Sequence, residues 1–209
     1  MPLDLAELVA PGHTALLTVE VQENIVGEDS ILPDLARAAT TIVPNIALLA
    51  HAARAVGVPV VHGTAEKRPD QLGSSHNARL FAATNKLRPR GAPGPAPTAV
   101  LHAGIGAEPG DLVIARLHGL SPLNDTGLDA ALRNMEVTTI VATGVSVNIA
   151  LLATVIDGVN RAYQIVVPRD AVAGVGPDYV DAVLDNTISL LASVTTTAEV
   201  VAAWSRSSS

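Results

Sequence analysis

Among the groups able to move a proton, polarise a bond or attack a carbon, those at the ends of apolar runs are the ones placed to act together. The run Thr14-Ala-Leu-Leu-Thr-Val19 stops abruptly at Glu20, with Gln22 close behind. Val58-Pro-Val-Val61 stops at His62, and the polar segment after it holds Glu66, Arg68 and, further on, His76. Asp111-Leu-Val-Ile-Ala115 leads to Arg116 and His118. Thr138-Thr-Ile-Val-Ala-Thr143 leads to the turn Gly144-Val-Ser146, with Ala150 behind it. Cysteine is absent from the 209 residues, so thiol nucleophiles, disulfides and thiolate metal sites are excluded. Thr143 and Ser146 offer hydroxyls but no evident histidine partner, and read as turn and helix-cap residues. Glu20, a carboxylate that ends a fully apolar strand, is the first candidate for a functional role. Burial among Ala, Val and Leu raises a carboxyl pKa, the direction a general acid needs at neutral pH.

Each of these groups needs an element to hold it. Continuous apolar, β-branched runs that turn polar at one end are the pattern of buried parallel strands delivering side chains to their C-terminal rim. Strands are expected over 15–19, 58–62, 111–115, 137–142, 164–168 and 194–197. Helices are expected over 32–56, 76–84, 126–135, 147–162 and 178–191, the first split by Pro44 because an interior proline breaks the hydrogen-bond ladder. Alternating strands and helices predict an α/β fold: a doubly wound, Rossmann-like parallel sheet of about six strands with helices on both faces. Ligands in such folds sit outside the carboxyl ends of the strands near a topological switch point. The rims after strands one to four are therefore the expected site. A single domain is expected over 1–209, with a leader at 1–12, a long Pro/Gly/Ala-rich loop at 87–110 and a flexible tail at 205–209.

Composition narrows the partners. Apolar residues make up 48% of the chain but aromatics only 2%, which leaves few platforms for stacking bases. A formal charge of -7 opposes a phosphate-binding surface, so no nucleic-acid partner is expected. No apolar run approaches the 18 or so residues of a membrane span, and the N-terminus carries acids where a signal peptide is basic. A cytoplasmic location is the expectation. No Gly-x-Gly-x-x-Gly follows the first strand and no Gly-Lys-Ser/Thr loop occurs, so no cofactor is expected. A catalytic zinc needs three converging ligands, and the spacing of His62, Glu66 and His76 does not suggest a set. His62 ends its strand without a nearby carboxylate in sequence, and no metal is expected.

Thr14-Ala-Leu-Leu-Thr-Val-Glu-Val-Gln-Glu-Asn24 resembles the opening strand of the isochorismatase-like hydrolase superfamily, also called the cysteine hydrolases, which ends in Asp-x-Gln. Thr143-Gly-Val-Ser-Val-Asn-Ile-Ala-Leu-Leu-Ala-Thr154 resembles its Thr-Gly-Val-x-Thr-Asn-x-Cys-x-x-x-Thr segment, and Val166-Val-Pro-Arg-Asp-Ala-Val-Ala-Gly174 its following strand. Order and spacing agree from about Thr14 to Thr197. The resemblance implies a catalytic Asp, Lys and Cys. The Asp falls on Glu20 and the Cys on Ala150. The Lys falls on Arg116 or Leu117, depending on which end the count starts from. It also implies a cis peptide before Ser146, with backbone amides of Val145 and Ser146 forming an oxyanion site. One branch of the superfamily works without the cysteine: true isochorismatases resemble this chain in carrying a small residue there. They use the strand-one carboxylic acid to protonate the enol carbon of a vinyl ether.

The function expected is a cysteine-independent hydrolase, or a related acid/base enzyme, acting on a small organic molecule. Glu20 is its expected acid or base, with Arg116 and His118 as partners. Gln22, Glu66, Arg68, His76, Val145, Ser146 and Ala150 are the expected substrate contacts, although Gln22 also fits a structural hydrogen-bonding role. The alternative is a pseudoenzyme that binds or scaffolds. Convergence of Glu20 with Arg116 or His118 on a pocket distinguishes the first from a collapsed, relic rim. The resemblance also implies a homo-oligomer, a dimer or larger.

Overall fold

The computed structural model of the chain describes residues 4–68, 70–87 and 99–206. Its centre is a seven-stranded sheet in the order β3-β2-β1-β4-β5-β7, with a short β6 beside β4. The strands are β1 (Thr14–Val19), β2 (Val60–Ala65), β3 (Leu112–Arg116), β4 (Thr139–Val145), β5 (Gln164–Pro168), β6 (Val172–Ala173) and β7 (Ser193–Thr195). Every pairing between them is parallel. The chain runs outward through β1, β2 and β3, then returns to β4 and runs out the other way. The switch point therefore falls between β1 and β4, where Val19 lies opposite Gly144.

The helices are α1 (Leu5–Leu8), α2 (Glu23–Val26), α3 (Pro33–Ala39), α4 (Val43–Ala55), α5 (Arg79–Leu87), α6 (Leu128–Asn134), α7 (Leu152–Asn160), α8 (Pro177–Asn186) and α9 (Thr197–Arg206). Side chains alternate across the pleat, so the strands feed two cores. Leu16, Val60, Val141 and Val166 pack with α4 and with Ala203 and Trp204 of α9. Leu17, Val61, Ile140 and Ile165 pack with Leu128, Leu132, Val155 and Leu184 from α6, α7 and α8. Among the described residues no helix is long and apolar enough to cross a membrane.

Several expectations shift in detail. The split near Pro44 is present, but Pro44 lies in the first turn of α4, where its missing N–H costs nothing. β2 runs on to Ala65, which puts His62 inside the sheet and not at its rim. β6 is an addition: two residues suffice because Gly144 and Val145 already present a free edge to Val172 and Ala173. The leader is anchored, since Val9 is buried and its carbonyl accepts the Trp204 indole N–H at 2.8 Å. The second part of the expected long loop is tied down as well. Leu101 bridges to Gln22, and Ile105 is buried against the α4 core. Residues 88–98 of that loop and 207–209 of the tail lie outside the described residues, while 205 and 206 complete α9.

Candidate active site

The site begins where β1 breaks. Glu20 has φ +58, the left-handed region that costs a non-glycine residue about 1 kcal/mol or more. Two backbone bonds hold it there: the Glu20 N–H donates to the Gly63 carbonyl at 2.9 Å, and its own carbonyl accepts from the Gln22 N–H at 3.0 Å. The kink frees the side chain from the strand's alternation and turns it toward the end of β3. There Arg116 Nη2 donates to Glu20 Oε1, with both side chains largely buried, 6% and 16% exposed. Burial pushes the Glu20 carboxyl above the ordinary carboxylate range, while the charge and hydrogen bond of Arg116 pull it back. Of the two residues left open for this position, Arg116 is the one that turns to Glu20; Leu117 lies half-exposed on the cavity rim.

The opposite wall comes from β4. Gly144 has φ +105, and a Cβ there would sit 2.2 Å from the Val19 carbonyl oxygen, so only glycine lets β4 and β1 approach at the switch point. The next peptide, Val145–Ser146, is cis. The chain then enters a π-helical turn over Val147–Leu151 before α7 begins. Ser146 caps that turn through its carbonyl, which accepts from the N–H groups of Ile149 and Leu151 at 3.1 Å. Thr143 is fully buried and donates to the Leu17 carbonyl at 3.2 Å, a structural bond between the two central strands.

Glu20, Arg116, His118, Ser146 and Ala150 line one cavity of about 160 Å³. His118 is exposed on its mouth, in a loop fastened by the Gly119 N–H donating to Ser75 Oγ at 3.1 Å. Glu66 also lines this cavity. A broader groove of about 640 Å³ lies alongside and shares Asn24, Ala65, Glu66 and Lys67 with it. Neither Glu20 nor Arg116 lines that groove, so the smaller cavity is where the Glu20–Arg116 pair sits.

Three expected substrate contacts, Gln22, Arg68 and His76, are placed elsewhere. Gln22 is fully buried and its amide brackets Ala65, accepting from the N–H at 2.6 Å and donating to the carbonyl at 3.1 Å. Its role is to clamp the β1 and β2 ends together. Arg68 is held at the surface by a two-bond fork to Asp70, at 2.9 and 2.8 Å. His76 is exposed and lines neither space. Val145 is buried, so only its backbone stands near the site. His62 does have a carboxylate partner, contrary to expectation: Asp111 Oδ2 lies 3.1 Å from its Nε2. Among the described residues no three His, Asp or Glu side chains converge in the manner of a metal site.

What the sequence did not disclose is the cavity's apolar wall. Leu32 and Leu35 come from the start of α3, Leu80 and Phe81 from α5, and Ile149 from the π-helical turn. Lys67, between Glu66 and Arg68 in the polar segment, also lines the cavity and donates to Thr84 Oγ1 at 3.2 Å. Its position directly after the β2 rim was the signal that could have found it.

Comparison with known proteins agrees with this frame. The family model for the isochorismatase domain matches residues 14–199. The chain is 29% identical over 181 residues to a ureidoacrylate amidohydrolase RutB of Methylobacterium radiotolerans, covering 80% of this chain and 70% of that one. An isochorismatase family protein from Burkholderia thailandensis superposes with a TM-score of 0.71 at 28% identity, covering 93% and 96% of the two chains. A cysteine hydrolase from Pseudomonas syringae pv. phaseolicola 1448A superposes with a TM-score of 0.78 at 24% identity, covering 99% and 96%. With its switch-point carboxylate, its cis turn after β4 and this match across most of its length, the chain belongs to the isochorismatase family.

Proposed function

We propose that the protein is a cysteine-independent hydrolase, or a related acid/base enzyme, that acts on a small organic molecule with Glu20 as general acid/base. One observation carries the reading: Glu20 and Arg116 meet on the wall of a cavity that also takes in Ser146 and Ala150. A rim that had merely lost its function would have no reason to keep a buried carboxyl–arginine pair facing an open space. The names of the amidohydrolase relatives support hydrolysis of a small molecule. With no cysteine anywhere in the chain, a thiol intermediate has no source.

The chemistry follows from the two opposing effects on Glu20. Burial favours the neutral form, so the carboxyl holds its proton to higher pH than an exposed glutamate. In the proposed step Glu20 gives that proton to the substrate atom that must accept it, the enol carbon of a vinyl ether or the leaving heteroatom. Arg116 steadies the carboxylate that remains. Water then adds to the electron-poor carbon and sheds one proton back to Glu20; where the first proton went to carbon, the new hydroxyl's remaining proton passes to the leaving oxygen as its bond to carbon breaks and the carbonyl forms. Backbone amides beside the Val145–Ser146 peptide polarise the substrate oxygen. Ala150 leaves room where a bulkier side chain would crowd the reacting centre.

The test compares wild type with Glu20→Gln across vinyl ethers, amides and esters of small acids. Wild type is expected to turn over at least one class, and Glu20→Gln to lose about 100-fold or more in kcat. Equal turnover by both proteins removes Glu20 from the mechanism. Turnover by neither favours a binding protein that has kept the fold.

A further inference from the structure

We propose that the substrate carries an uncharged apolar group about the size of one ring, taken up between α3 and α5 beside the Glu20–Arg116 pair. The proposal rests on the hydrolase reading for the position of the reacting bond, but its own support is the shape and lining of the cavity. Phe81 is the chain's sole phenylalanine, and it stands half-buried in the cavity wall. Leu80 lies beside it, Leu32 and Leu35 face in from α3, and Ile149 closes the side next to Ala150. In a protein with 2% aromatics, a ring turned to a cavity and not to the core is an unusual use of it.

Size narrows the ligand. A cavity of about 160 Å³ is close to the roughly 150 Å³ that an apolar engineered cavity needs to take up benzene, and well below the roughly 300 Å³ at which drug-sized pockets begin. Within the cavity itself only a group of that size is enclosed; the rest of a larger substrate would lie in the adjoining groove. A phenyl ring or a branched chain of four to six carbons fits.

Charge narrows it further. Arg116 is already hydrogen-bonded to Glu20, so a substrate carboxylate placed there would have to displace that bond. Glu66 and Lys67 stand where the cavity opens into the wider groove, which puts the substrate's polar end on that side and its apolar end toward α3 and α5. Each methylene that such a group buries should raise kcat/KM by about fourfold.

The test uses phenylacetamide, isovaleramide, acetamide and succinate as probes, with binding followed by NMR titration on wild type, Glu20→Gln, Phe81→Ala and Leu80→Ala. Phenylacetamide and isovaleramide are expected to bind wild type and Glu20→Gln alike, at least tenfold more tightly than acetamide or succinate. Phe81→Ala and Leu80→Ala should each weaken phenylacetamide by about tenfold while retaining the wild-type amide spectrum away from α5. Succinate binding more tightly than phenylacetamide, or unchanged affinity in both α5 variants, overturns the proposal. The two readings separate cleanly. Ring-selective binding without turnover of any panel substrate defeats the hydrolase reading alone. Turnover that ignores the ring defeats this one alone.

Discussion

The protein sets a poorly exposed carboxylate against an arginine in two places on the same half of the sheet, and treats the two in opposite ways. Beneath the rim, Asp111 receives Arg54 Nε at 3.0 Å and Nη2 at 2.6 Å, the Glu108 N–H at 2.8 Å and His62 Nε2 at 3.1 Å. At the rim, Glu20 receives Arg116. The two carboxylates are both poorly exposed, 5% and 16%. Burial raises the proton affinity of each, but at Asp111 the bonds from Arg54, the Glu108 N–H and His62 win, and its pKa falls below the usual value. At Glu20 burial wins. An arginine neighbour therefore does not by itself decide a carboxylate's chemistry. The number of donors that saturate it does. The saturated carboxylate is structural; the under-saturated one lines a cavity, as the proposed acid/base role requires.

The lower network is also directional. An ionised Asp111 can only accept, so His62 Nε2 carries the hydrogen, and Nδ1 accepts the Thr18 hydroxyl at 2.8 Å. Thr18, His62 and Asp111 thus tie β1, β2 and the entry to β3 to Arg54 of α4 in one fully satisfied chain. It shares the ingredients of a hydroxyl–imidazole–carboxylate triad, but Thr18 and His62 are 1% and 0% exposed, so no substrate reaches the hydroxyl.

The contrast can be broken at either end. The largest expected effect is at the saturated site. Asp111→Ala should cost about 3 kcal/mol in urea unfolding, because Arg54 and His62 lose their common acceptor; a loss under 1 kcal/mol would show the network to be incidental. Next in size, Glu20→Gln should lower kcat about 100-fold or more while changing unfolding free energy by less than about 1 kcal/mol, since the amide keeps the shape and one acceptor. A variant that lost stability and activity together would place Glu20 with Asp111 as a structural group. Smaller again, Thr18→Val should cost about 1 kcal/mol by stranding His62 Nδ1.

The smallest effects are in pH dependence, where the two regions should carry opposite signs. Burial holds His62 below its ordinary 6.5, outweighing Asp111. The stability tied to neutral His62 is therefore present above 6.5 and is lost as pH falls through the lower folded value. Asp111 behaves likewise below 3.8. Glu20 is raised above 4.5, so its contribution is present below 4.5 and is lost as pH rises through its folded value. His62→Gln should flatten the acid side of a stability profile, and Glu20→Gln the alkaline side of that carboxyl's titration. Identical profiles in the two variants would erase the distinction.

Much of the rim was legible because a strand's end is a local signal. The change from apolar to polar at Glu20, Arg116 and Ser146 located each on the correct edge, and the resemblance anticipated the cis turn. The misplacements have physical reasons. Arg68 found a partner two residues away, and a short-range fork outcompetes a cavity. Gln22 lies two residues past Glu20, whose positive φ breaks the strand's alternation before Gln22 is reached. His62 lacked an apparent partner because Asp111 is 49 residues distant and joins it only through the β2–β3 register. The apolar wall was illegible for the same kind of reason. Leu35 and Phe81 lie on separate helices whose amphipathic faces specify burial, but not which of two neighbours they bury against.

The most direct test is a carbon-detected NMR titration of glutamate and aspartate carboxyls in the wild-type protein, with Glu20 and Asp111 assigned through Glu20→Gln and Asp111→Asn. The account predicts a Glu20 midpoint above 4.5 and an Asp111 midpoint below 3.8 in one sample. A Glu20 midpoint at or below 4.5 would contradict it, because a carboxyl that gives up its proton as readily as an exposed one cannot be the acid this site depends on.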